Sequence, residues 1–216
     1  MDQGGNHSIE PGNIRLLERM LFFSDAVFAI VLTLLVLELR LPPGIAEANL
    51  FRAVLAMEPE LAAFATTFAL VSVFWIAHLT ITRVLKQFDW IAAWVNLIFL
   101  FTIALTPFVS AMLGEYSVFG NAWRLYCMEL IAVGIAQMIL FAVINRGKGR
   151  LVGGVSRRVF WHRLIRASSP FLSFAILLVL SLMGFSRLSF YLCWVAIPAI
   201  LILARVAFGP RHESVA

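Results

Sequence analysis

Within its long apolar runs the sequence places very few acids or histidines: Asp25, Glu38, His78 and Glu129. An ionised carboxylate held in mid-bilayer costs roughly 2.5–3.5 kcal/mol on insertion scales, so such groups either sit in a buried paired network or serve the movement of ions or protons. Asp25 and His78 are the first candidates for both roles. As a network they would satisfy one another or groups on neighbouring helices; as functional groups they would pass protons or cations. Glu129, about a third of the way into its run, has an aqueous vestibule as its plainest reading. No enzyme chemistry gathers around these residues, because no Ser/His/Asp or Cys/His set falls at one depth and no HExxH or glycine-rich phosphate loop is present. Cys127 and Cys193 lie in apolar runs without metal-ligand spacing, so neither a zinc site nor a disulfide framework is expected. The chain is read as a non-enzyme with no cofactor and no resident metal.

The run that holds Asp25 has two sides. Ile30, Thr33, Leu34 and Leu37 stand at i, i+3, i+4 and i+7, one face of a helix. Asp25 stands five residues before Ile30, about 140° around the helix at about 100° per residue. One side is an apolar stripe with a single hydroxyl; the other turns Asp25 toward neighbouring helices. On periodicity alone the stripe would meet lipid or core.

The elements that position these residues follow from composition. The chain has 216 residues, 62% of them hydrophobic and 13% charged, with a mean hydropathy of +0.93. A soluble domain is about half apolar and about a quarter charged, so a soluble fold and a disordered chain are both excluded. Six apolar runs of spanning length are expected: Met20–Leu39, Leu61–Ile81, Trp90–Leu113 with a kink at Pro107, Ala122–Ile144, Ala167–Met183 and Leu188–Ala207. They are apolar on all faces and too long for membrane strands. The fold class is therefore an all-α integral membrane protein with six transmembrane helices, flanked by a mobile N-terminus (1–14) and a C-terminal tail (209–216) around a six-helix transmembrane domain (15–208). With six crossings, the side carrying both termini holds 13 of the 17 Lys and Arg residues, which places both termini in the cytoplasm and the chain in the cell membrane. The basic stretch 146–166, with no acid in it, reads as a topology determinant that touches anionic lipid rather than nucleic acid.

Arg19-x-x-x-Phe23-Ser24-Asp25 at the start of the first run resembles the RxxxFSD signature of the transmembrane protein 175 family, the lysosomal potassium channels and their bacterial relatives. Trp75-x-x-His78 resembles that family's Trp-x-x-His element, although Leu79 stands where relatives often have a second His. Phe88-Asp89-Trp90 through Asn96 to Pro107 is similar to its third helix. The resemblance covers roughly residues 15–113. It implies a potassium-preferring channel that lacks a TVGYG filter, built as a homotetramer of single-repeat chains whose first helices line a central pore. It further implies that Ile30 forms the narrowest ring, with Leu34 and Leu37 as further rings and Thr33 as a hydroxyl layer. Arg19, Phe23, Ser24, Asp25, Trp75, His78 and Asn96 would form the network that holds the pore helix. The only metal expected is the permeating potassium ion. The competing reading is a proton- or cation-coupled transporter that uses Asp25 and His78.

Overall fold

Four helices are long and apolar enough to cross a bilayer, and they coincide with the first four apolar runs. The computed structural model describes residues 11–83, 85–116, 120–146, 171–193 and 195. Helix α1 spans Pro11–Leu34, α3 Glu58–Thr82, α4 Trp90–Tyr116 and α5 Asn121–Ile144. At 1.5 Å per residue, each of these is about 36–40 Å long, enough to exceed the ~30 Å hydrocarbon layer. A short helix α2, Leu50–Ala56, lies in the α1–α3 connection. The described part of the last two runs is helical too: α6, Phe171–Leu182, and α7, 186–193. A turn at Gly184, with φ of 95°, joins them; glycine adopts that angle without a Cβ clash. The rest of the basic stretch after Arg146, the remainder of the sixth run and both chain ends lie outside the described residues.

α1 differs from the apolar run at both ends. It begins nine residues before Met20, because Ile14 to Met20 are good helix formers although partly charged; hydropathy finds the membrane-embedded part, not the helix. At the other end the α-helix stops at Leu34 and tightens into a 3₁₀ turn, Leu35–Glu38, ahead of Pro42 and Pro43. α4 continues as a helix through Pro107. Proline removes the amide that would bond the Ile103 carbonyl. The Thr106 hydroxyl donates to that carbonyl instead, at 2.7 Å.

α4 is the centre of the bundle, with α1, α3 and α5 packed on it. Phe28, Phe74, Phe99, Ile103, Leu113, Trp123 and Tyr126 are buried between them. α5 also meets α6 very closely: a Cβ at Gly134 would come within 2.7 Å of Phe171 Cβ. Trp123 donates to the Ser189 hydroxyl at 2.9 Å, and Ser189 donates to the Leu177 carbonyl at 2.6 Å, which ties α5, α6 and α7 together.

At the opposite end, Asp89 caps α4 by accepting the Ala92 amide at 2.8 Å and pairs with Arg146 at 2.6 Å beyond α5. Desolvation alone would push the Asp89 carboxyl up, but the Ala92 amide and the Arg146 guanidinium outweigh it and hold the carboxyl below its ordinary value. A depressed folded-state value adds stability above the ordinary carboxylate range, and that stability disappears as pH falls through the depressed value. Asp89→Ala should lower the thermal midpoint at neutral pH, mostly through loss of the cap, worth about 1 kcal/mol. The ion pair, partly exposed to solvent, adds little. In acid the variant and the parent should converge, and parallel melting curves at every pH would remove Asp89 from the ledger.

Candidate functional site

α1 has one face in the bundle and another outside it. Leu17, Ser24, Phe28, Val31 and Leu35 are buried, at spacings of seven, four, three and four residues. The opposite face carries the stripe: in the single chain Ile30 is 56% exposed, Leu34 42% and Leu37 57%. Thr33 and Phe23 share this exposure. Only 22% of the α1 span is buried inside the subunit, against 44–50% for α3, α4 and α5, so α1 lies at the edge of the bundle. The 3₁₀ turn does not break the stripe. In that geometry residues three apart eclipse one another, so Leu37 stays in line with Leu34. The Thr33 hydroxyl donates its hydrogen to the Ile30 carbonyl at 2.8 Å, which leaves the oxygen lone pairs free to accept a donor or meet a cation.

Behind the stripe the polar residues form two sets of bonds, a chain across α1, α4 and α3 and a separate pair between α1 and α3. Ser24 donates to the Met20 carbonyl at 2.9 Å and accepts the Asn96 amide at 2.8 Å. With that amide group used as a donor, the Asn96 carbonyl oxygen accepts from His78 Nε2, 2.8 Å away. The hydrogen of the imidazole is thereby fixed on Nε2, and Nδ1 is left buried without a hydrogen-bond partner. The ring is stacked on Phe99, with centroids 5.4 Å apart, and tilted against Phe28 at 5.7 Å. One turn away, Trp75 Nε1 donates to Asp25 Oδ1 at 3.0 Å. Asp25 and His78 therefore each bond to a neutral partner on another helix: Asp25 docks α1 on α3 directly, and His78 holds the Asn96 side chain that docks it.

Ser24, Asp25, Trp75, His78 and Asn96 come together, whereas Arg19 and Phe23 lie on the exposed side and take no part in these bonds. A second polar seam, on which the residue pattern alone put only Glu129, runs between α3, α4 and α5. Thr67 lies 2.9 Å from both the Ser110 and Tyr126 hydroxyls, Thr106 3.3 Å from Glu129, and Gln137 donates to the Phe74 carbonyl at 3.1 Å. The signal for it was the pair Thr106 and Ser110, four apart and so on one face of an otherwise apolar helix. Among the described residues no group of three or more His, Cys, Asp or Glu side chains is placed to hold a metal ion.

Residues 19–107 match the family described as endosomal/lysosomal potassium channel TMEM175. A potassium channel of Streptomyces collinus is 30% identical over 128 residues, 57% of this chain and 62% of its own length. The human endosomal/lysosomal proton channel TMEM175 is 28% identical over 128 residues, 59% of this chain and 25% of its own length. The chain thus spans less than two thirds of the curated relatives it matches. A crystal structure of a lysosomal potassium-selective channel TMEM175 homolog from Chamaesiphon minutus superposes with a TM-score of 0.72 at 26% identity, over 88% of this chain and 98% of that one.

Proposed function

We propose that this chain, which belongs to the TMEM175 family, is one subunit of a homotetrameric, potassium-preferring channel in the cell membrane, with both termini cytoplasmic. The observation that carries the reading is the division of α1 into a docked polar side and an exposed apolar stripe. A helix fixed to its own subunit by Asn96 and Trp75 presents the stripe outward at a constant angle. Four such helices around one axis would bring Ile30, Leu34 and Leu37 together as rings.

Branched aliphatic rings offer an ion no ligands. An ion crossing them must keep its hydration shell or shed part of it. Potassium sheds water more readily than sodium, so a tight dry ring favours it modestly, and the free lone pairs of Thr33 would replace some of the lost water. The same ring closes the pore when it dewets. Selectivity on this scheme is weaker than that of a carbonyl filter, which this sequence lacks.

The transporter reading requires Asp25 and His78 to load and release protons. Both are engaged in the bonds that dock α1, which argues for a positioning role. The deciding experiment is reconstitution into liposomes with an outward potassium gradient. The channel reading expects potassium efflux far above that of empty vesicles, rising without saturation as the gradient steepens, and lower when sodium replaces potassium. Saturating flux locked to a proton gradient would instead establish the transporter.

A further inference from the structure

The mid-span proline of α4 singles out Glu129. The Thr106 hydroxyl has one hydrogen, and it goes to the Ile103 carbonyl that Pro107 leaves without an amide, at 2.7 Å. That hydrogen is therefore not available to the Glu129 Oε1 atom 3.3 Å away. The other oxygen of the carboxyl, Oε2, is buried and has no hydrogen-bond partner among the described residues. An ionised carboxylate accepts on both oxygens and donates on neither, so this pocket offers the ion almost nothing. With a proton on Oε1 the contact becomes a donation from Glu129 to the Thr106 oxygen.

A route to this carboxyl is present. Where the α1–α3 connection, the start of α3 and the end of α4 meet, a cavity of about 320 Å³ is lined by Glu38, Arg40, Glu60, Ser110 and Glu115, among others. Ser110 lies both on this cavity and in the buried cluster, 2.9 Å from the Thr67 hydroxyl, which is 2.9 Å from that of Tyr126. Ser110 is four residues from Thr106 on α4, and Tyr126 three from Glu129 on α5, so each end of the hydroxyl cluster stands about one helical turn along its helix from a member of the Thr106–Glu129 contact. On the packed elements the titratable and charged groups among the described residues are Glu58, Glu60 and His78 on α3, Glu115 and Tyr116 on α4, Arg124, Tyr126 and Cys127 on α5, and Arg187, Tyr191 and Cys193 on α7, with Glu38 and Arg40 across the cavity. Arg124 does not neutralise Glu129: it donates to Asn121 and to the Ser181 carbonyl.

We propose that Glu129 is a proton-binding site inside the subunit, loaded from this cavity through the hydroxyls of Ser110, Thr67 and Tyr126. Thr67 rests with its hydrogen on the Ala63 carbonyl, at 2.7 Å, and rotates to take its place in the relay; each hydroxyl accepts a proton on its oxygen as it passes its own hydrogen on, so one O–H bond forms for each that breaks. One water crosses the last turn, and the final O–H bond forms on Glu129. Raising the pH reverses the sequence and leaves an uncompensated charge between α4 and α5, the helices that pack most extensively on one another.

The inference stands apart from the pore reading, and its test needs no ion flux. Infrared difference spectra of the full chain in lipid vesicles, taken between mildly acidic and alkaline pH and in H2O and D2O, should contain a neutral-carboxyl C=O band. The band should vanish in Glu129→Gln and shift in Glu129→Asp. Thr67→Val should slow its deuterium exchange at least severalfold, and Thr67→Ser, which keeps the hydroxyl, should restore the rate. A carboxyl band unchanged in Glu129→Gln overturns the site, and exchange unaffected by Thr67→Val overturns the route. Vesicles that fail to pass potassium yet retain the Glu129 band would count against the channel and in favour of the site.

Discussion

Ile30→Asn should lower the potassium-to-sodium permeability ratio of the reconstituted protein about tenfold, equivalent to about 1.4 kcal/mol of differential barrier, while raising total conductance. Ile30 is 56% exposed on the single chain, so the substitution leaves no cavity and strands no buried partner within the subunit. Its consequence is confined to whatever the stripe faces. If that is a pore axis, four amide side chains bring both donors and acceptors into a ring that had neither. Water then enters the constriction, and sodium no longer gives up hydration to pass. Thr33→Ala should act in the same direction but less, because it removes an oxygen whose hydrogen is already committed to the Ile30 carbonyl and leaves the apolar ring in place. Ile139→Asn supplies the control: Ile139 is similarly exposed, at 49%, but on α5, and the ratio should not move. Bilayer recordings of the three variants separate the possibilities. An Ile30→Asn channel with the parent's conductance and ion ratio would move the constriction off α1.

Hydropathy made the membrane class and the first four spans legible, because a run that must face lipid has to be apolar on every side. It misplaced the start of α1 because Ile14 to Met20 extend the helix beyond the apolar stretch. It could not anticipate the 3₁₀ turn at Leu35–Glu38, which changes the geometry of the stripe but not its composition. The candidate site was legible in two stages. Charge in an apolar run pointed to Asp25 and His78 from the residues alone. Their partners did not follow from that rule: Trp75 and Asn96 are ordinary residues for a membrane helix, and only the family resemblance put them beside the charged pair. Of the two arrangements open to Asp25 and His78, each other or groups on neighbouring helices, the structure has the second, because a neutral indole or amide satisfies a buried polar atom. The Thr67–Ser110–Tyr126 cluster was hidden for a related reason. A hydroxyl in an apolar helix satisfies itself on its own backbone, as Thr66, Ser72 and Thr80 do, so its presence alone does not announce a tertiary contact.

Asn96→Leu should cost about 1–3 kcal/mol of stability, the penalty for leaving a buried donor without an acceptor. Asn96 is 1% exposed, and it is the residue that joins His78 of α3 to Ser24 of α1. Leucine has the same branched skeleton of four side-chain heavy atoms, so most of the loss is one of polarity, with a smaller cost for the bulk of its methyl groups. Ser24 tolerates the change, because its hydroxyl still donates to Met20. His78 does not: its Nδ1 already lacks a partner, and the variant would remove the acceptor of Nε2 as well, between the rings of Phe28 and Phe99. The second substitution then becomes informative. His78→Phe in the Asn96→Leu background takes away the stranded donor and offers a ring to an aromatic pocket. Replacing both members of a buried pair by apolar groups of similar shape is nearly neutral where replacing one is not. The double variant should therefore melt closer to the parent than Asn96→Leu does, with a coupling free energy of about 1–2 kcal/mol in the thermodynamic cycle. Additive losses would mean that the His78–Asn96 bond does not hold α1. The same double variant separates positioning from proton carriage. A chain without the imidazole that recovers its stability and its potassium flux uses His78 to fix the angle of α1, whereas recovered stability without flux would return His78 to the path of the ion.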